Sequence, residues 1–218
     1  RKLLNQYRRG LLKSRPLKAK DLERYLLLVD DLPGVSVKSV LTPSEHKQGA
    51  TNMTLILDNK AYGGSLGGDN RGTQFNGPIQ INAGLSGNTL FRNYERIGLQ
   101  SVVTTNTDEL QFFSGFYEQP ISSEGTKLFF SASVSESEPG SVLKDFEVAG
   151  KSKTFTLKIS HPFIRSRAEN LTGSVGFTHR NSSTDILGVL DSEDRLRIVN
   201  LGLSYAFVDE HRGVNLIS

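Results

Sequence analysis

From about residue 61 onward, apolar and polar positions alternate at period two in stretches of strand length, separated by turn residues. The last full stretch is the plainest: Val199, Leu201, Leu203, Tyr205 and Phe207 fall on one side, with Asn200, Gly202, Ser204 and Ala206 on the other. Successive side chains of a strand point to opposite faces, so this spacing predicts strands with one apolar and one polar face. About eight are predicted, near 61–69, 77–87, 94–105, 109–118, 127–136, 151–161, 170–180 and 195–208. The expected apolar faces carry Ile79, Ile81, Ala83 and Leu85; Ile97, Leu99 and Val103; Leu110, Phe112 and Phe116; Leu128, Phe130, Ala132 and Val134; Phe155, Leu157 and Ile159; and Leu171, Val175 and Phe177. The opposite faces carry Gln80, Asn82, Gly84, Gln100, Ser131, Ser133, Thr154, Thr156, Lys158, Thr172, Ser174, Asn200 and Ser204.

The first 60 residues follow a different period. Leu3, Leu4, Tyr7 and Leu11 recur at helical spacing, although Gly10 weakens a helix there. A second helix is predicted from Ala19 to Asp31, with Leu22, Tyr25, Leu26 and Val29 as its apolar stripe and Pro33-Gly34 as its stop. Strands are expected over 35–42 and 51–57, joined by a loop containing Pro43 and Gly49. The order is helix, helix, strand, strand, and it divides the chain into a small α+β unit over 1–60 and a strand-rich region over 61–218.

Periodicity alone leaves two partners for the apolar face. In a soluble β-sandwich it packs on a second sheet; in a membrane barrel it meets lipid, and small polar residues line the interior. The longest apolar run, Tyr25 to Val29, is far short of a membrane-spanning helix, so any crossing must be made by strands. Short turns at 119–125 and 162–169 alternate with longer polar loops expected at 137–150 and 181–194, as in bacterial outer-membrane barrels. A closed eight-stranded barrel fits less well, because side chains fill its interior and the small residues here would leave voids. His211 to Ser218 reads as a turn entering one more strand.

Charge and chemistry narrow the function. The chain lacks cysteine, which excludes disulfides and thiolate metal sites. Its first 24 residues carry nine Lys or Arg against Asp21 and Glu23, a balance of +7 that leaves −4 for the rest of a chain whose net charge is +3. That basic stretch has one aromatic, Tyr7, and no nucleic-acid motif, so a solvated helix face is expected and no nucleic-acid partner. His46, His161, His179 and His211 are scattered without ligand spacing. The Gly63–Gly68 run lacks the Lys-Ser/Thr of a phosphate loop, and Asp191, Glu193 and Asp194 lack the spacing of a calcium loop. No catalytic residue, metal or cofactor is expected, and the chain reads as something other than an enzyme.

Specific motifs add a family. Leu22-Glu23-Arg24-Tyr25-Leu26-Leu27-Leu28-Val29-Asp30-Asp31-Leu32-Pro33-Gly34-Val35, preceded by Arg15-Pro16-Leu17, closely resembles the second POTRA domain of the two-partner secretion transporters, the haemolysin secretion/activation (ShlB/FhaC/HecB) family of the Omp85 superfamily. Asp69-Asn70-Arg71-Gly72, with Gly77 and Pro78, looks like that family's first barrel hairpin, and Pro162-Phe163-Ile164-Arg165-Ser166-Arg167 looks like one of its periplasmic turns. The resemblance implies a mainly β chain: an N-terminal partial α+β POTRA domain in the periplasm, then the first half, about eight antiparallel strands, of a transmembrane β-barrel in the outer membrane of a Gram-negative bacterium. It implies an internal fragment of a monomeric pore that exports a partner exoprotein of haemolysin or adhesin type, recognised through its N-terminal secretion domain, with outer-membrane lipid as the other partner. The polar-face residues above become candidates for the pore lumen. Arg24, Val35, Ser36, Val37 and Lys38 become candidates for partner contact, the last four through strand addition at a sheet edge. The alternative is a nonconducting or soluble β-rich binding or structural module.

Overall fold

A computed structural model describes residues 2–14, 16–46, 48–211 and 213–218. Arg1 and Arg15, two members of the basic run, and Arg212, in the last predicted turn, lie outside the described residues. The chain is mainly β, with two short helices at its start. Helices α1 (Lys2–Lys13) and α2 (Ala19–Asp30) precede strands β1 (Val35–Pro43) and β2 (Thr51–Asn59), which pair with each other antiparallel. Nine further strands form one antiparallel sheet in chain order: β3 (Tyr62–Asp69), β4 (Gln80–Asn88), β5 (Arg96–Thr104), β6 (Gln111–Pro120), β7 (Lys127–Ser137), β8 (Ala149–Arg165), β9 (Glu169–Ile186), β10 (Val189–Val208) and β11 (Val214–Ile217).

The helical unit is built on burial. Tyr7, Leu28, Val29 and Leu32 form its core, and Leu3, Leu4, Tyr25, Val35 and Val37 pack around them. Helix α1 runs through Gly10 because Tyr25 needs the space: a Cβ there would sit 2.5 Å from the Tyr25 ring. Helix α2 ends at Asp30 with Asp31 as its C-cap, and the chain turns at Gly34, whose φ of +72° favours glycine. The Gly34 carbonyl then accepts from Lys60 N–H at 2.7 Å, closing the β1–β2 hairpin onto the helix end. Asn88, the last residue of β4, ties this point to the sheet: its Nδ2 donates to the Lys60 carbonyl at 2.8 Å and its N–H to the Ala61 carbonyl at 2.7 Å.

Two expectations need correction. The polar stretch 181–194 is no loop: β9 and β10 run on through it and turn at Leu187-Gly188, both with positive φ. Polar residues on both faces hide a strand from any amphipathic pattern, yet the backbone ladder needs no apolar side chain. The second correction concerns β6. Phe112 pairs with Val102 and Phe116 with Gly98, so both rings lie on the face of Gln100, while Phe113, Gly115 and Tyr117 lie on the face of Leu99. Two adjacent aromatic pairs, Phe112-Phe113 and Phe116-Tyr117, put one ring on each face, and only register tells them apart. Leu110 and Ile79 lie just outside β6 and β4. The one more strand expected near the end of the chain is present as β11, the ninth strand of the sheet.

Candidate functional site

Register assembles the two faces of the sheet from strands far apart in sequence. On one face a single row crosses Tyr62, Gly87, Ile97, Tyr117, Phe130, Leu157, Phe177 and Val199. A second runs through Leu85, Leu99, Gly115, Ala132 and Phe155, and a third through Leu128, Ile159, Val175 and Leu201. Many side chains of this face have nothing over them: Leu66, in a further row with Ala83, is 81% exposed and Leu201 82%.

The apolar stretch also shifts along the sheet. On β4 it covers Ile81 to Gly87 and on β10 Val199 to Phe207, yet Gly87 and Val199 sit in the same row. The stretch therefore slips by about one residue per strand, which for ~3.3 Å of rise and ~4.8 Å between strands corresponds to a tilt of about 35°.

The opposite face is polar and mostly small. Register brings Gln80, Asn82, Gly84, Gln100, Ser131, Ser133, Thr154, Thr156, Lys158, Thr172, Ser174, Asn200 and Ser204 onto it together. Its hydrogen bonds are sparse and long: Asn82 Nδ2 donates to Asp69 Oδ2 at 3.3 Å, Arg180 Nε to Thr154 Oγ1 at 3.3 Å, and the Thr156 and Thr178 hydroxyls lie 3.4 Å apart. Sequence reasoning missed an aromatic and cationic group here. Phe116 and Phe129 stack at 6.1 Å, and the Arg96 guanidinium sits 5.7 Å above the Phe116 ring. The doubled aromatics Phe116-Tyr117 and Phe129-Phe130 were the available signal, because each doublet must place one ring on the polar side.

The near end of the sheet, where β4, β6, β8 and β10 finish, is fastened to the helical unit. Arg165, at the end of β8, makes a two-pronged ion pair with Asp31, Nε to Oδ2 and Nη2 to Oδ1, both at 2.7 Å. Its Nη1 donates to Asn170 Oδ1 at 2.9 Å, which holds the guanidinium plane. Lys127 Nζ donates to the Asp31 carbonyl at 3.1 Å, and the Arg167 N–H to Glu23 Oε1 at 3.1 Å. Arg24 pairs with Glu124 at 3.3 Å and donates to the Pro162 carbonyl at 3.4 Å. Tyr25 donates its hydroxyl to Glu124 Oε1 at 3.2 Å; partial burial and the neighbouring carboxylate both push its pKa up.

The remaining candidates for partner contact sit on β1. Val35 and Val37 turn toward the helical core, and their N–H groups are already used: Val35 donates to the Leu32 carbonyl and Val37 to Asp30 Oδ1, each at 3.0 Å. Ser36 and Lys38 pair with Asp58 and Ile56 of β2. The chain thus caps the first half of its own β1 edge, and the open part begins near Ser39.

No helix among the described residues is long and apolar enough to cross a membrane, which says nothing about strands. The family model for the haemolysin secretion/activation protein ShlB/FhaC/HecB matches residues 56–216. The heme/hemopexin transporter protein HuxB of Haemophilus influenzae is 26% identical over 162 residues, which is 74% of this chain and 28% of that relative. The chain therefore spans less than a third of the length of this curated relative. Among solved structures, CdiB from Escherichia coli superposes with a TM-score of 0.73 at 20% identity, covering 84% of this chain and 35% of CdiB. BamA from Haemophilus ducreyi lacking POTRA domains 1–3 superposes with a TM-score of 0.52 at 12% identity, covering 96% of this chain and 42% of that one. Alternating strands, their tilt and the matched family model converge: the chain belongs to the haemolysin secretion/activation (ShlB/FhaC/HecB) family.

Proposed function

We propose that this chain supplies part of the wall of an outer-membrane pore that passes an unfolded partner exoprotein, with residues 1–60 as the C-terminal part of a second POTRA domain on the periplasmic side. The observation that carries the reading is the pairing of one continuous, uncovered apolar face with an opposite face that is polar and mostly small, broken by the aromatic group around Phe116, in a single tilted sheet. From Val199 to Phe207 the apolar stretch runs about 26 Å along β10, or roughly 21 Å along the normal at the ~35° tilt, close to the ~25 Å apolar band of outer-membrane barrels.

The polar face then borders the lumen. A chain in transit needs replaceable hydrogen bonds and no apolar surface on which to stick, and Ser, Thr, Asn and Gln side chains offer that. In hydrocarbon an open sheet edge leaves N–H and C=O groups without partners, so β3 and β11 require further strands beside them, consistent with a half-barrel. The secretion domain of the exoprotein adds as a strand to β1 from about Ser39 onward, where the edge is open.

The test is planar-bilayer recording of the full-length protein alongside secretion of its partner. Stepwise conductance is expected, and Ser174→Phe on the polar face is expected to lower both conductance and secretion while the barrel still assembles. A protein that stays soluble without detergent and carries no current would sink the proposal in favour of a β-rich binding module.

A further inference from the structure

The border of the apolar face on β8, β9 and β10 is chemically one-sided. Toward the far end, the first outer-face residue beyond Val199 is Arg197, the first beyond Phe177 is His179, and the first beyond Phe155 is Lys153; Arg195 follows two residues on. Register sets them side by side: Phe155, His179 and Arg197 share one row, and Lys153, Asn181 and Arg195 the next. Strands ~4.8 Å apart and alternate residues ~7 Å apart put the backbones of the three long cations within about 12 Å of one another. At the opposite border of the same strands, the outer face carries His161 and Glu169 and no cluster of cations.

Lys153 and Arg197 have no carboxylate partner among the described residues, whereas Arg195 Nε bonds Glu193 Oε1 at 2.8 Å. Arg197 Nη1 donates to Asn181 Oδ1 at 3.0 Å and to the Leu196 carbonyl at 2.7 Å, so the guanidinium is oriented by neutral acceptors and keeps its charge available. Beyond the patch the ribbon turns acidic at Asp185 and Asp191. A cationic border of Lys153, Arg195 and Arg197, with Lys151 and Glu193 in the row beyond, lies directly against apolar rows that end in Phe155, Phe177 and Val199 and matches the layering of a lipid: acyl chain first, anionic headgroup next.

We propose that Lys153, Arg195 and Arg197 form a site for the phosphorylated headgroup of an outer-leaflet lipid. Planar guanidinium groups take phosphate oxygens in two-pronged fashion, and cations at the membrane surface add affinity for anionic lipid roughly one by one. Its acyl chains lie along the apolar rows below. The proposal rests on the reading of the apolar face as lipid-facing, and on the far end lying outside.

The test uses the full-length protein folded into phosphatidylcholine vesicles with or without diphosphoryl lipid A. Lipid A retained after detergent extraction is quantified by mass spectrometry, and folding is read separately from heat-modifiable gel mobility. Lys153→Gln/Arg195→Gln/Arg197→Gln is expected to lower retained lipid A by at least about tenfold. Lys144→Gln, in the 138–148 connection at the same end, is expected to leave it unchanged. Lys153→Gln alone, at an exposed site, is expected to lower it severalfold and guards against misfolding of the triple variant. Wild-type retention by the triple variant overturns the site, and so does displacement of lipid A by an equal concentration of inorganic phosphate. Failure of every form to enter phosphatidylcholine vesicles overturns the membrane reading itself.

Discussion

The helical unit and the nine-stranded sheet reach stability by opposite routes. The buried aliphatic and aromatic side chains described, Tyr7, Leu11, Leu28, Val29 and Leu32, all lie in the first 32 residues; the sheet leaves Leu66, Leu85, Leu99, Val199, Leu201 and Leu203 open. Water drives the first region together by covering apolar surface. The second is held by its hydrogen-bonded ladder, and on the proposed reading its apolar face turns to lipid. On that reading one chain folds against two solvents, and the same residue type has opposite meanings on either side of residue 60.

The sharpest way to break that contrast is to remove one core residue. Leu28→Ala is expected to destabilise the helical unit by about 2–5 kcal/mol through the lost burial and the cavity left behind. Hydrogen exchange should speed up across α1 and α2 and stay unchanged in β6 to β9; uniform loosening of both regions would mean that they share one core after all. Next in size is a charge on the open face. Leu201→Lys is expected to cost roughly 2–4 kcal/mol of assembly in vesicles, while Asn200→Lys, one residue away on the other face, has little effect in the same urea titration. Equal penalties from the two lysines would refute the division of faces.

The smallest effect is expected at the junction. Asp31→Asn weakens the pair with Arg165, whose side chains are 24% and 31% exposed, so solvent screening limits the loss to about 1 kcal/mol. Since the chain has no cysteine, nitroxide labels at introduced cysteines in place of Lys20 and Ser123 report one distance across the junction. That distribution should broaden in the variant, and an unchanged width would assign the fastening to Arg24 and Glu124 instead.

What the sequence made legible follows the physics of each region. Helix α2 could be read because Leu22, Tyr25, Leu26 and Val29 mark one face and Pro33-Gly34 mark its end. The polar face could be read strand by strand, since alternation is local and register only aligns what each strand already has. The aromatic group around Phe116 could not, because its composition needs the register of β5, β6 and β7 together. The Asp31–Arg165 pair lay equally out of reach: 134 positions separate the partners, and each alone looks like a solvated charge. The outer half of β9 and β10 escaped for the reason that makes it usable in water, polar side chains on both sides.

The Leu187-Gly188 turn bears on the order in which the sheet zips up. It joins the two longest strands, of 18 and 20 residues, through the shortest connection described in the sheet, so their pairing encloses almost no loop and carries the least closure entropy. Hairpins of this kind form in microseconds, well before contacts that span longer loops. The β9–β10 ribbon is therefore the natural nucleus against which β8 and then β7 can dock, and the kinetics of assembly should answer to a two-residue turn far from any apolar core.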